Sequence, residues 1–167
     1  VIQSQKILIP IISIALILML GIYHSLGVGK GHLVVRVFDG DTILLDDGRK
    51  IRLMGVDAPE VWSPHHDQEP FGEESKAYLS SLLGNKKVFL TIGDPPKDKY
   101  GRTLAYVYSG DVLVNGRIIR EGWARAYRIF YHPFRDLFIA YEREARSRGL
   151  GMWRDERKGD QDKVINE

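Results

Sequence analysis

Five short stretches of β character and three of helical character predict an α+β, mainly β, domain. The expected architecture is a closed five-stranded Greek-key barrel with three helices packed on it, preceded by an N-terminal hydrophobic helix. Two observations carry this prediction. Residues 32–38, 42–45, 50–56, 86–92 and 102–108 have the length and residue types of strands and are separated by turn-forming residues. Residues 71–83, 114–121 and 133–148 lie between or after them and read as helices.

Taking the chain in order, residues 7–23 are nearly all apolar, and no charge interrupts the sequence from Lys6 to Lys30. Extended to Val28, the run has roughly the twenty residues that a bilayer-spanning helix needs. A cleaved secretory signal is the alternative. Both place the following domain outside the membrane, and Gly27–Gly31 reads as a flexible linker. The expected organisation is therefore an anchor or signal with linker over residues 1–30, a globular domain over 31–153 and a charged, disordered tail over 154–167.

Within the domain, Leu33, Val35 and Val37 alternate with Arg36, which places the three apolar residues on an inward face. Asp46-Asp47-Gly48 is a tight-turn signal between residues 42–45 and the return strand 50–56. Arg52 and Asp57 are five apart, so a regular strand would point them to opposite faces; Gly55 marks a bulge that brings them together. Residues 61–70 read as a loop. In the first helix Glu73 and Glu74 complement the dipole, Tyr78, Leu79, Leu82 and Leu83 form the buried stripe, and Gly84-Asn85 closes it. Residues 94–100 read as a loop and Ser109-Gly110-Asp111 as a turn. Asn115 stands near the start of the second helix and Gly122 stops it. Phe134, Leu137, Phe138, Tyr141 and Ala145 form the stripe of the third, with a Schellman end at Gly149-Leu150.

The chain of 167 residues has a net charge of +2 and no cysteine. Total charge makes no case for nucleic-acid binding, and structural disulfides and cysteine-ligated zinc are excluded. The chemistry rests instead on Asp39-Gly40-Asp41 and Asp57-Ala58-Pro59-Glu60, which one hairpin returns to the same end of the barrel. Like charges gathered at strand ends call for a cation between them, and a sparse oxygen set suits Ca²⁺ or Mg²⁺. Arg52 and Arg102 can each hold a phosphate in bidentate fashion. His65-His66-Asp67 reads as a surface loop, and Arg135, Arg143, Arg146 and Arg148, interspersed with Asp136, Glu142 and Glu144, read as a solvated helix face. Trp123, Tyr127, Phe130 and Tyr131 read mostly as core aromatics.

The segments Phe38–Thr42, Arg52–Glu60 and Asp98–Tyr106, with Val114-Asn115, Gly122-Trp123-Ala124 and Gly149–Trp153, closely resemble the staphylococcal nuclease (thermonuclease) family over residues 32–153. The resemblance implies an OB-fold barrel with three helices and a Ca²⁺-dependent endonuclease acting on DNA and RNA and leaving 3′-phosphate ends. It implies Asp41, Asp57 and the Ala58 backbone carbonyl as metal ligands, with Asp39 nearby through water. Many members carry threonine where this chain has Ala58, a change that a carbonyl ligand tolerates. Arg52 and Arg102 match the phosphate-binding arginines, Glu60 the proposed general base, and Lys99, Tyr100 and Tyr127 substrate-contacting positions. No obligate protein partner is implied, and a monomer is expected. A non-catalytic nucleic-acid-binding OB module is the alternative, disfavoured because every matched catalytic position is filled.

Overall fold

The structure, a computed structural model, describes residues 31–61 and 67–154. The apolar run, His65 and His66, and the tail from residue 155 lie outside the described residues. Among the described residues no helix is long and apolar enough to cross a membrane.

The elements follow in the order β1 (His32–Val37), β2 (Thr42–Leu45), β3 (Lys50–Leu53), β4 (Val56–Asp57), α1 (Gly72–Leu83), β5 (Lys87–Lys97), β6 (Thr103–Ser109), β7 (Val112–Leu113), α2 (Val114–Arg120), β8 (Arg125–Ala126) and α3 (Arg135–Arg148), with a 3₁₀ turn at Gly151–Trp153. Antiparallel pairs β1–β2, β2–β3, β1–β5 and β5–β6 run around a five-stranded barrel, which a parallel β3–β6 pairing closes. The short β4 and β8 pair with each other in a separate ribbon.

The β2–β3 hairpin alternates as a half-buried sheet must: Ile43, Leu45, Ile51 and Leu53 point inward and are at most 1% exposed. Leu79 and Leu83 of α1, Ile118 and Ile119 of α2 and Phe138 of α3 close over this interior. Each such side chain contributes about 1.5–3 kcal/mol by leaving water.

Several local expectations are corrected. Val34, not Val35, points inward: a bulge between Val34 and Arg36 shifts the β1 register, and Val35 is 51% exposed. The strand end at Gly55 is a full break rather than a single bulge, with Gly55 at φ 77° and the chain leaving β3 to form β4. Strand β5 continues through residues 94–97, which the sequence places in a loop, because Lys97 regains a partner in Thr103 after a register shift. Gly84-Asn85 closes α1 as expected, with the Gly84 N–H donating to the Ser80 C=O at 2.7 Å and Asn85 in the left-handed region. Helix α3 begins at Arg135, two residues later than expected, and its Leu137 is 41% exposed. Its Schellman end is present: Leu150 N–H donates to Ala145 C=O and Gly149 N–H to Arg146 C=O, each at 3.0 Å.

Candidate functional site

The turn from β1 into β2 packs unusually close to the rest of the chain. A Cβ on Gly40 would overlap Ser75 Oγ and lie 2.6 Å from Ala58 Cβ, so only glycine lets the backbone sit there. That seat buries Asp41 to 3% exposure. Its carboxylate accepts hydrogen bonds from Thr42 Oγ1 and the Ala58 amide, each at 2.9 Å, and its amide donates to Asp39 Oδ1 at 2.9 Å. Leu53 N–H donates to the Asp41 carbonyl at 2.8 Å, tying the turn to the end of β3.

Arg52, near that end, faces the acids. Its Nη1 lies against Asp41 Oδ1 as an ion pair, without hydrogen-bond geometry and as an otherwise unpartnered buried donor; its Nη2 is 3.9 Å from Asp57 Oδ1. The charge of Glu60 also reaches it. The strand break at Gly55 therefore does what parity demanded, bringing Arg52 and Asp57 to one place. Burial, then the neighbouring Arg102, pull the Arg52 guanidinium below its ordinary pKa, while Asp39, Asp57 and Glu60 oppose them. Burial likewise pushes the Asp39 carboxyl up, against the pull of Arg52.

Arg52 also borders a cleft of about 390 Å³, whose walls include Lys99, Tyr100, Arg102, Tyr127 and Phe130 but not Asp39, Asp41, Asp57 or Glu60. Asp98 builds one wall. It accepts from the Arg102 amide (3.0 Å), from Arg102 Nε (2.6 Å) and from the Tyr100 amide (2.9 Å), an arrangement that aims both side chains. Burial raises the Asp98 carboxyl, but the hydrogen bonds from Arg102 outweigh it and hold the group below its usual pKa. Arg102 Nη1 reaches Thr42 Oγ1 at 3.4 Å, joining this wall to the acid group. Tyr100 is 71% exposed, with Lys99 Nζ 5.0 Å and Arg102 Cζ 5.4 Å from its ring centroid. Tyr131 is also exposed, at 81%.

Three supporting residues escape a sequence reading. Asn115, fully buried, accepts from Val107 N–H (2.8 Å) and donates to the carbonyls of Met54 (2.9 Å) and Ala105 (3.1 Å), clamping the turn before Gly55. Glu142, expected on a solvated face, is 1% exposed; it accepts from the Ala126 amide at 2.9 Å and from Arg146 Nε at 3.0 Å, with Arg128 Nη2 at 3.1 Å. It thereby holds β8, which pairs with the strand carrying Asp57 and continues into Tyr127. His132 lies under Gly55, and the Tyr106 hydroxyl and its Nδ1 share a hydrogen bond at 3.0 Å. A weak signal existed for Glu142: it stands four residues after Phe138 and three before Ala145, on the buried side of the helix.

Another acid group stands at the far end of the same hairpin. One ligand atom each from His32, Asp46 and Asp47 lie within 4.8 Å of one another. Here Arg49 fills the role of a cation, with Nη2 2.8 Å from Asp47 Oδ2 and His32 Nδ1 3.0 Å from the same oxygen. Neither Asp46 nor Asp47 is buried.

A family model described as "Staphylococcal nuclease homologue" matches residues 50–155. The chain is 43% identical over 131 residues to the thermonuclease of Staphylococcus intermedius, covering 75% of this chain and 77% of that protein. It is 39% identical over 132 residues to the thermonuclease of Staphylococcus hyicus, with the same coverage of 75% and 77%. Endonuclease YncB of Bacillus subtilis is 37% identical over 126 residues, covering 71% of this chain and 59% of that protein.

Proposed function

From the premise that this chain belongs to the staphylococcal nuclease family and is a nuclease, we propose a Ca²⁺-dependent endonuclease that hydrolyses DNA and RNA, breaking the 5′-O–P bond and leaving 3′-phosphate ends. The observation that carries this reading is the placement of Arg52, set between Asp41 and Asp57 on one side and the cationic cleft on the other.

The residues fit a hard divalent cation. Arg102 is matched by Asp98, which leaves the three aspartates Asp39, Asp41 and Asp57 gathered around Arg52, with the charge of Glu60 nearby. That excess of negative charge in a partly buried, all-oxygen setting suits Ca²⁺ rather than a soft metal. Asp41, Asp57 and the Ala58 carbonyl would hold it, with Asp39 acting through water. When bound, the ion supplies a Lewis acid for the phosphoryl oxygen and helps orient water.

The chain's own groups do the rest. Glu60 accepts the proton of the attacking water as its oxygen bonds to phosphorus. Arg52 and Arg102 neutralise the charge that grows on the phosphoryl oxygens, and the bond to the 5′-oxygen breaks as that oxygen takes a proton from solvent and leaves as the 5′-hydroxyl. Asp98 keeps Arg102 aimed, and Lys99, Tyr100 and Tyr127 hold the strand beside the cleft. The domain spans residues 31–153, with residues 1–30 as an anchor or cleaved signal that delivers it outside the cell, where calcium is plentiful; residues 154–167 are a tail.

The test is cleavage of single-stranded DNA and of RNA by the full chain, with and without Ca²⁺, with product ends identified. Cleavage that stops on chelation and leaves 3′-phosphates is expected. Cleavage indifferent to chelation defeats the calcium assignment, and binding without any cleavage favours a non-catalytic OB module. Protease accessibility in whole cells tests the external placement.

A further inference from the structure

The outer face of the barrel carries a second aromatic ring beside two cations, across β3 from the strand that borders the cleft. Because Ile43, Leu45, Ile51 and Leu53 point inward, Thr42, Leu44, Lys50 and Arg52 point outward. The pairings Arg36↔Leu44↔Lys50 and Thr42↔Arg52 set these residues in two adjacent rows across β1, β2 and β3. Phe38 follows Arg36 by two residues and donates its amide to the Thr42 carbonyl at 2.9 Å. Its ring centroid lies 4.4 Å from Lys50 Nζ and 4.8 Å from Arg36 Cζ.

This group repeats the composition of the cleft wall, where the Tyr100 ring lies beside Lys99 and Arg102. It is also continuous with that wall, since Arg102 reaches Thr42 and Thr42 pairs with Arg52. Arg36 and Lys50 are exposed, and among the described residues neither is neutralised by a carboxylate. Lys50 stands two residues from Arg52, about 6.6 Å along the strand. An extended polynucleotide covers that offset in one nucleotide step.

We propose that Arg36, Phe38 and Lys50 form a second polynucleotide subsite, which grips the strand beyond the phosphate held at Arg52. Lys50 and Arg36 contact successive phosphates and the Phe38 face stacks on a base. The proposal rests on the nuclease reading of the neighbouring site. Its occupant is a single strand rather than an anionic membrane, because the rows lead into the cleft and a flat layer of headgroups cannot follow them there.

The experiment measures equilibrium binding of the full chain, in EDTA, to fluorescent oligothymidylates of twelve and of two nucleotides over a range of salt. The Arg36→Gln/Lys50→Gln double variant weakens the longer probe about tenfold and lowers the slope of log K against log salt by about 1.4, two single-strand phosphate contacts' worth. The Lys50→Arg single variant retains the wild-type slope. Phe38→Leu weakens the longer probe about tenfold with the slope unchanged, as loss of stacking requires. The dinucleotide is affected less than the longer probe in each case. Equal losses for both lengths, unchanged binding of the longer probe, or a loss confined to anionic vesicles overturns the subsite. Because binding is read without calcium, a protein that shows the length and salt signatures but never cleaves refutes the catalytic reading and leaves the subsite standing.

Discussion

The two ends of the β2–β3 hairpin each gather carboxylates around an arginine, and they differ in burial and in balance. At the turn end, Asp47 is met by Arg49 at 2.8 Å and by His32 at 3.0 Å, all at the surface. At the other end Asp41 is nearly sealed from solvent, and four carboxylates share Arg52. A count of acidic residues gives two at the turn end against four at the other, but does not say which of them are already paired. Charge balance separates them: the turn end is a satisfied clasp, whereas the buried end is short of positive charge and opens beside a cleft that carries more. The difference teaches that a cation site is recognised by the imbalance that remains after local pairing.

The largest effects should come from substitutions that treat the ends alike. Asp41→Ala and Arg52→Ala are expected to lower kcat by about a hundredfold or more while the domain stays folded, because each removes charge complementary to the reacting phosphate or its metal. Asp47→Ala at the clasp should leave kcat near wild type, since exposed pairs are screened. Steady-state rates on single-stranded DNA, with circular dichroism as the folding control, decide this. Comparable losses at both ends would break the comparison.

Next in size are the residues that hold the buried end together. Asn115→Ala strands the Val107 amide and two carbonyls in the core and should cost about 3 kcal/mol in urea unfolding. Glu142→Ala should cost somewhat less in stability yet also reduce activity, since it frees the ribbon that carries Asp57. If stability falls and activity per folded molecule does not, Glu142 is merely structural.

These supports show where a sequence ceases to speak. The barrel was legible because Ile43, Leu45, Ile51 and Leu53 alternate strictly, and the acid and arginine set was legible because each member sits in a short motif beside a turn. Val34-Val35 was not, since two adjacent valines carry no parity and the bulge is chosen by pairing with β2. Asn115 and Glu142 were not, because their partners are backbone groups brought close by the fold: Met54 is 61 residues from Asn115 and Ala126 is 16 from Glu142. A glutamate among helix arginines looks solvated until a neighbouring strand covers it. Gly55 pointed to a departure from strand geometry but not to its extent, which depends on His132 lying beneath it.

That histidine supplies the smallest effect and one that sharpens the contrast between the ends. His132 is 1% exposed, and burial, then Arg135, lower its pKa below the ordinary value. The folded chain therefore keeps the imidazole neutral where the unfolded chain would protonate it, near pH 6.5. Its contribution to stability is complete above that value and declines as pH falls from it towards the lower folded pKa. Tyr106, whose hydroxyl burial pushes up to about 12, stays protonated throughout and does not itself titrate in this range. Urea midpoints measured without calcium should fall between pH 6.5 and 5 more steeply for the wild type than for His132→Gln, which cannot titrate. Parallel curves would mean that the turn beneath Gly55 accommodates a charged ring, and that this end of the hairpin is no more sealed than the clasp.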